Sequence, residues 1–120
     1  MKKILIVDDE EIIRMLIADT LEDLEVQIEI AADGRIALEK LNESAYDLML
    51  LDYMMPELTG LEILEQLPQE VKERMPIIML TAKAQESDRT KAIEAGVTCF
   101  IPKPFSPLEL LQVIEGILFK

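Results

Sequence analysis

The chain has 120 residues, half of them hydrophobic and 30% charged, which suits one domain with a sizeable core and excludes bulk disorder. Twelve Lys and Arg against twenty-four Asp and Glu give a net charge of −12, a surface that repels phosphate backbones and argues against direct nucleic-acid binding. With no histidine, His-based triads and His-ligated metals are excluded, and the lone Cys99 cannot close an internal disulfide.

Lys3–Asp8 (KILIVD) is short and β-branched and reads as a buried strand. The acidic run Asp8-Asp9-Glu10-Glu11 follows where a signal peptide would still need apolar residues, and no apolar run approaches the roughly 18–20 residues of a membrane span. A cytoplasmic location with no membrane partner is therefore expected. Glu11–Leu24 carries Ile13, Leu16, Ile17, Thr20, Leu21 and Leu24 at helical spacing. Val26–Ala31 (VQIEIA) alternates like an edge or half-covered strand, and Asp33 is placed to cap a helix over Gly34–Asn42. Asp47–Leu51 (DLMLL) reads as a third strand, and Thr59 with Glu62 has capping-box spacing for a helix to Leu67. Pro68–Met75 is the loosest stretch. Pro76–Leu80 (PIIML) is a fourth strand with proline at its first position, where it is tolerated. Ser87–Ala95 is a weakly apolar helix closed by Gly96, which suits a left-handed position after a helix. Thr98–Ile101 (TCFI) is a fifth strand, in which Cys99 reads as a small core residue of a protein from a reducing compartment. Ser106-Pro107-Leu108-Glu109 combines an N-cap, Pro at the first helical position and Glu at the third, opening a last helix to Leu118.

Five strands alternating with five helices, without repeats or long linkers, predict one α/β domain over residues 1–120, a doubly wound parallel sheet covered on both faces. In such sheets ligands bind outside the carboxyl ends of the strands. The first strand ends at Asp8-Asp9, the third at Leu51-Asp52 and the fourth at Leu80-Thr81-Ala82, while the fifth leads to Pro102-Lys103-Pro104. Three carboxylates, one hydroxyl and one ammonium thus converge on one rim. Taken singly, each has an ordinary explanation as a helix cap, a turn residue or a solvated lysine. Together they call for a ligand, because packing like charges is costly and a hard cation such as Mg²⁺, bridging carboxylates to a phosphoryl oxygen, relieves that cost.

At these residues the sequence resembles the receiver domains of bacterial two-component response regulators. The resemblance covers the whole chain and rests on Asp8-Asp9 in IVDDE, Asp52 in LLDYMMPELTG, Thr81-Ala82, and Lys103-Pro104 in PKPFSPLEL. It implies a flavodoxin-like sheet of order 2-1-3-4-5, with Asp52 as phosphoacceptor from a histidine kinase or histidine phosphotransfer protein. It implies Mg²⁺ held by Asp9, Asp52 and the Met54 backbone carbonyl, with Asp8 acting mainly through water. Lys103 would pair with Asp52 and then with a phosphoryl oxygen, which the Thr81 hydroxyl would also bond. Phe100 matches the family's aromatic switch position. The output would be a downstream protein or an attached output domain. The Lys103–Pro104 bond is expected to be cis. Met54 and Lys83 are expected to flank the approach of a hydrolytic water and to slow phosphoryl loss, since one is apolar and the other offers only donors.

Two places depart from the family. The turn after the first helix has Glu25 where glycine is usual. The acidic and arginine residues through which winged-helix regulators dimerise are replaced by Thr98-Cys99, Val113 and Glu115, so dimerisation on that face is not expected. A phosphomonoester phosphatase would want a second Asp two residues after its nucleophile, whereas Glu10 and Met54 stand there. A flavin or nucleotide module would want a Gly- or Ser/Thr-rich phosphate loop after the first strand, where four acidic residues stand instead. A degenerate docking receiver would have lost site residues, and none is missing. The expectation is a switched signalling domain rather than an enzyme.

Overall fold

Apolar runs that no single face could hide demand burial on both sides, and the sheet supplies it. In the computed structural model, which describes residues 1–81 and 86–119, the order is β1 (Lys2–Val7), α1 (Glu11–Thr20), β2 (Val26–Ala31), α2 (Gly34–Glu43), β3 (Leu48–Asp52), α3 (Gly60–Gln66), α4 (Gln69–Arg74), β4 (Ile77–Thr81), α5 (Glu86–Ala95), β5 (Cys99–Pro102) and α6 (Pro107–Leu118). The five strands are all parallel in the order β2-β1-β3-β4-β5. Residues Ile4–Val7 and all of β3 and β4 are buried, while β2, on the edge, is only partly covered: Val26 and Ile28 are half-buried, Ile30 is exposed, and only Ala31 is buried.

Alternation along the strands divides the core in two. Leu5, Val7, Met49, Leu51, Ile77 and Met79 face α2, α3 and α5, packing on Ala37, Leu41, Ile63, Leu64 and Ala92. Ile4, Ile6, Leu48, Leu50, Ile78 and Leu80 face α1 and α6, packing on Ile17, Leu21, Leu110, Ile114 and Leu118. The buried residues of the second core are Ile and Leu alone, whereas the first holds Met49, Met55, Met75 and Met79.

The capping signals act as expected. Asp33 accepts from the Ile36 amide, Thr59 and Glu62 form a reciprocal capping box, and Ser106 accepts from the Glu109 amide. Gly96 has φ 117°, a left-handed conformation that favours glycine.

Three expectations need correction. There are six helices among the described residues rather than five, because Pro68–Met75, the loosest stretch by sequence, contains α4. That helix buries no residue, and only Val71 packs on the core from it, so six residues gave no apolar period to detect. Pro68 caps it and separates it from α3. The first helix ends at Thr20, not Leu24; Leu21 and Leu24 still reach the core, but from turns joined by Leu21 N–H to the Ile17 carbonyl and Leu24 N–H to the Leu21 carbonyl. Cys99 packs against the second core yet is only half-buried, and that burial pushes its thiol pKa up. No helix among the described residues is long and apolar enough to cross a membrane.

Candidate functional site

Parallel register brings the polar strand ends together. Val7 pairs with Leu51, so Asp8 emerges beside Asp52; Asp52 pairs with Leu80, one residue short of Thr81; and Thr81 pairs with Pro102, one short of Lys103. The Lys103 amide continues the ladder by donating to the Thr81 carbonyl at 2.7 Å. The next bond, Lys103–Pro104, is cis, as expected. After β3 the chain closes tightly. The Gly60 amide donates to the Tyr53 carbonyl, and a β-carbon on Gly60 would stand 2.8 Å from the Asp52 carbonyl oxygen, so only glycine fits there.

Lys103 is the centre of the charge pattern. Its Nζ lies 3.0 Å from Asp8 Oδ2, 3.2 Å from Asp52 Oδ1 and 4.0 Å from Glu10 Oε1, with the Lys103 side chain 14% exposed. Asp8 is fully buried and Asp52 is 3% exposed. One ammonium therefore serves two buried carboxylates. Burial and the Asp8 carboxylate push the Asp52 pKa up to about 6, against the pull of Lys103 and a 3.4 Å hydrogen bond from the Met54 amide. Burial works against the charge on Lys103, but its hydrogen bond to Asp8 and the fields of Asp52 and Asp8 outweigh it and raise the Lys103 pKa.

The carboxylates of Asp8, Asp9 and Glu10 each offer an oxygen within 4.8 Å of the others, with Asp9 and Glu10 open to solvent. This all-oxygen set, beside an Asp52 carboxyl left under-compensated by one lysine, fits a hard divalent cation.

Asp8, Asp52 and Lys103 are thus in direct contact, and Thr81, 6% exposed, ends the neighbouring strand. Asp9 borders the group from the solvent side. Met54 follows β3 and is 63% exposed. Phe100 pairs in register with Met79, so it shares a sheet face with Thr81 two residues farther along β4, and it packs against the methionine-bearing core. Ala82 and Lys83 lie outside the described residues. Two neighbours escaped the sequence reading. Glu10, which the sequence gives no role in the site, joins both the acidic group and Lys103. Arg14, on α1, donates from Nη1 to the Asp8 carbonyl at 2.8 Å. A basic residue six positions after Asp8 is the only sequence signal it gives.

A family model described as response regulator receiver domain matches residues 4–115. The chain is 45% identical over 116 residues to the transcriptional regulatory protein ResD of Bacillus subtilis, covering 97% of this chain and 48% of that protein. It is 39% identical over 118 residues to the phosphate regulon transcriptional regulatory protein PhoB of Escherichia coli, covering 98% and 52%. It spans about half the length of these curated relatives. Among solved structures, the chemotaxis response regulator CheY4 of Vibrio cholerae matches with a TM-score of 0.89 at 35% identity, over 98% of this chain and 99% of that one.

Proposed function

The chain belongs to the response regulator receiver domain family, and from that premise we propose that Asp52 is the phosphoacceptor of a two-component signalling switch. An Asp52 carboxylate oxygen attacks phosphorus of a phosphohistidine on a histidine kinase or phosphotransfer protein; the new O–P bond forms as the N–P bond breaks and the imidazole leaves. The observation that supports this reading is the pair of buried carboxylates, Asp8 and Asp52, sharing the single ammonium of Lys103 at the carboxyl edge of the sheet.

Phosphoryl transfer asks the protein mainly for positioning and charge neutralisation. Lys103 is close enough to Asp52 to follow an incoming phosphoryl oxygen, and the Met54 amide orients the acceptor carboxylate. Asp9, Asp52 and the Met54 carbonyl would hold Mg²⁺, with Asp8 acting mainly through water; the bound ion supplies further neutralisation of the phosphoryl oxygens. The Thr81 hydroxyl bonds the phosphoryl group once it is in place, and Phe100, on the same face, follows that movement to change the outer surface. A downstream protein or an attached output domain reads this surface. The domain acts in the cytoplasm and assists only its own phosphorylation and dephosphorylation. At net charge −12 it makes no direct nucleic-acid contact.

The test is intact mass spectrometry after incubation with a small phosphodonor such as acetyl phosphate and Mg²⁺. One added phosphoryl group is expected, lost in Asp52→Asn and in chelator. Undiminished labelling of Asp52→Asn overturns the assignment.

A further inference from the structure

The Arg89 guanidinium on α5 lies over the ring of Phe100 on β5, 4.8 Å from its centroid. The apolar packing of α5 on the sheet is slight among the described side chains. Among its described side chains only Ala92 is buried, Ala95 is partly so, and Ile93 is exposed; the helix has no continuous apolar stripe. Arg89 itself forms no ion pair among the described residues. The ring is thus a partner of the guanidinium across the α5–β5 boundary, a direct link between the helix and the strand.

We propose that Arg89 is a positioning residue for the switch: its cation clasps the Phe100 ring and holds α5 against β5 in the unphosphorylated arrangement. This rests on the reading of Phe100 as the switch aromatic. A cation is attracted to the face of an aromatic ring, so a ring that turns inward toward Thr81 must leave the guanidinium. The clasp therefore opposes the activated arrangement, and removing it raises the activated fraction before any phosphoryl group arrives. An exposed cation–π contact corresponds to a population shift of about 2- to 5-fold. Coupling is reciprocal, so a phosphoryl mimic binds more tightly by the same factor when the clasp is removed.

The experiment uses protein carrying fluorinated phenylalanine, with the Phe100 ¹⁹F resonance assigned by its loss in Phe100→Leu, titrated with beryllofluoride in Mg²⁺. In wild type the resonance is expected to move on saturation. Arg89→Gln is expected to start displaced toward the saturated position and to saturate at about 2- to 5-fold lower beryllofluoride. Arg89→Lys, which keeps a cation, should fall between the two. The saturation midpoint is independent of the local effect of deleting a charge beside the ring. If Arg89→Gln saturates at the wild-type concentration, or Arg89→Lys is indistinguishable from Arg89→Gln, the clasp is overturned. If the wild-type resonance does not move at all, the switch reading of Phe100 falls, and the clasp with it.

Discussion

Burial and the neighbouring Asp8 carboxylate make a charged Asp52 costly to the fold, and the sign of that cost sets a pH test. The Asp52 pKa, raised to about 6, lies above its unfolded value of about 3.9, so the native state holds this proton more tightly. The group's favourable contribution is full below the unfolded pKa and is lost as pH rises through about 6. Without divalent cations, Asp52→Asn should exceed wild type in stability at pH 7 by on the order of 1–2 kcal/mol, within a ceiling of about 3. The difference should vanish toward pH 4, as followed by denaturant unfolding at each pH. An equal gap at both pH values would show that the carboxylate's ionisation is not the cause. A second residue-scale cost is Glu57, whose φ of 70° lies in the left-handed region. Glu57→Gly should stabilise by about 0.5–1 kcal/mol, the relief of strain exceeding the added freedom of the unfolded chain. Asp8, Asp52, Thr81 and Lys103 were legible because strand ends in a doubly wound sheet share one rim. Glu10 and Arg14 were not, since their roles depend on how α1 leaves β1.

At the scale of elements, legibility followed burial. Strands with apolar runs and helices with side-chain caps declared themselves; α4, which buries nothing, did not. The end of α1 was misplaced because Leu21 and Leu24 prolong the helical spacing while the backbone has already turned. α6 was legible from its cap and stripe, yet it carries Gly116 in an exposed interior position where an added β-carbon would meet nothing within 4 Å. Gly116→Ala should therefore stabilise by about 0.5–1 kcal/mol through helix propensity alone, measurable as a shift in the unfolding midpoint at constant slope. A loss of stability would mean that this surface has an undescribed neighbour.

For the whole molecule, the charge balance and the outer face bear on association. The face formed by α5, β5 and α6 presents Thr98, Cys99, Val113 and Glu115 where paired charges would be needed for a regulator-type dimer. With net charge −12, two copies also repel at low salt. The phosphorylated protein should sediment as a monomer at low ionic strength. A symmetric dimer on that face would show that apolar contacts suffice without the charges.

The unequal make-up of the two cores has a mechanical consequence. The buried residues beneath α1 and α6 are Ile and Leu only, side chains with well-defined rotamers and little give. The layer that carries Phe100, shares its sheet face with Thr81 and packs against α2, α3 and α5 is interleaved with four thioethers, whose unbranched chains can refill a changing gap without opening a void. The sheet thus has a stiff backing on one side and a compliant lining on the other. A turn of the Phe100 ring would be met by side chains able to repack around it, whereas the opposite face would resist any shift of its own layer.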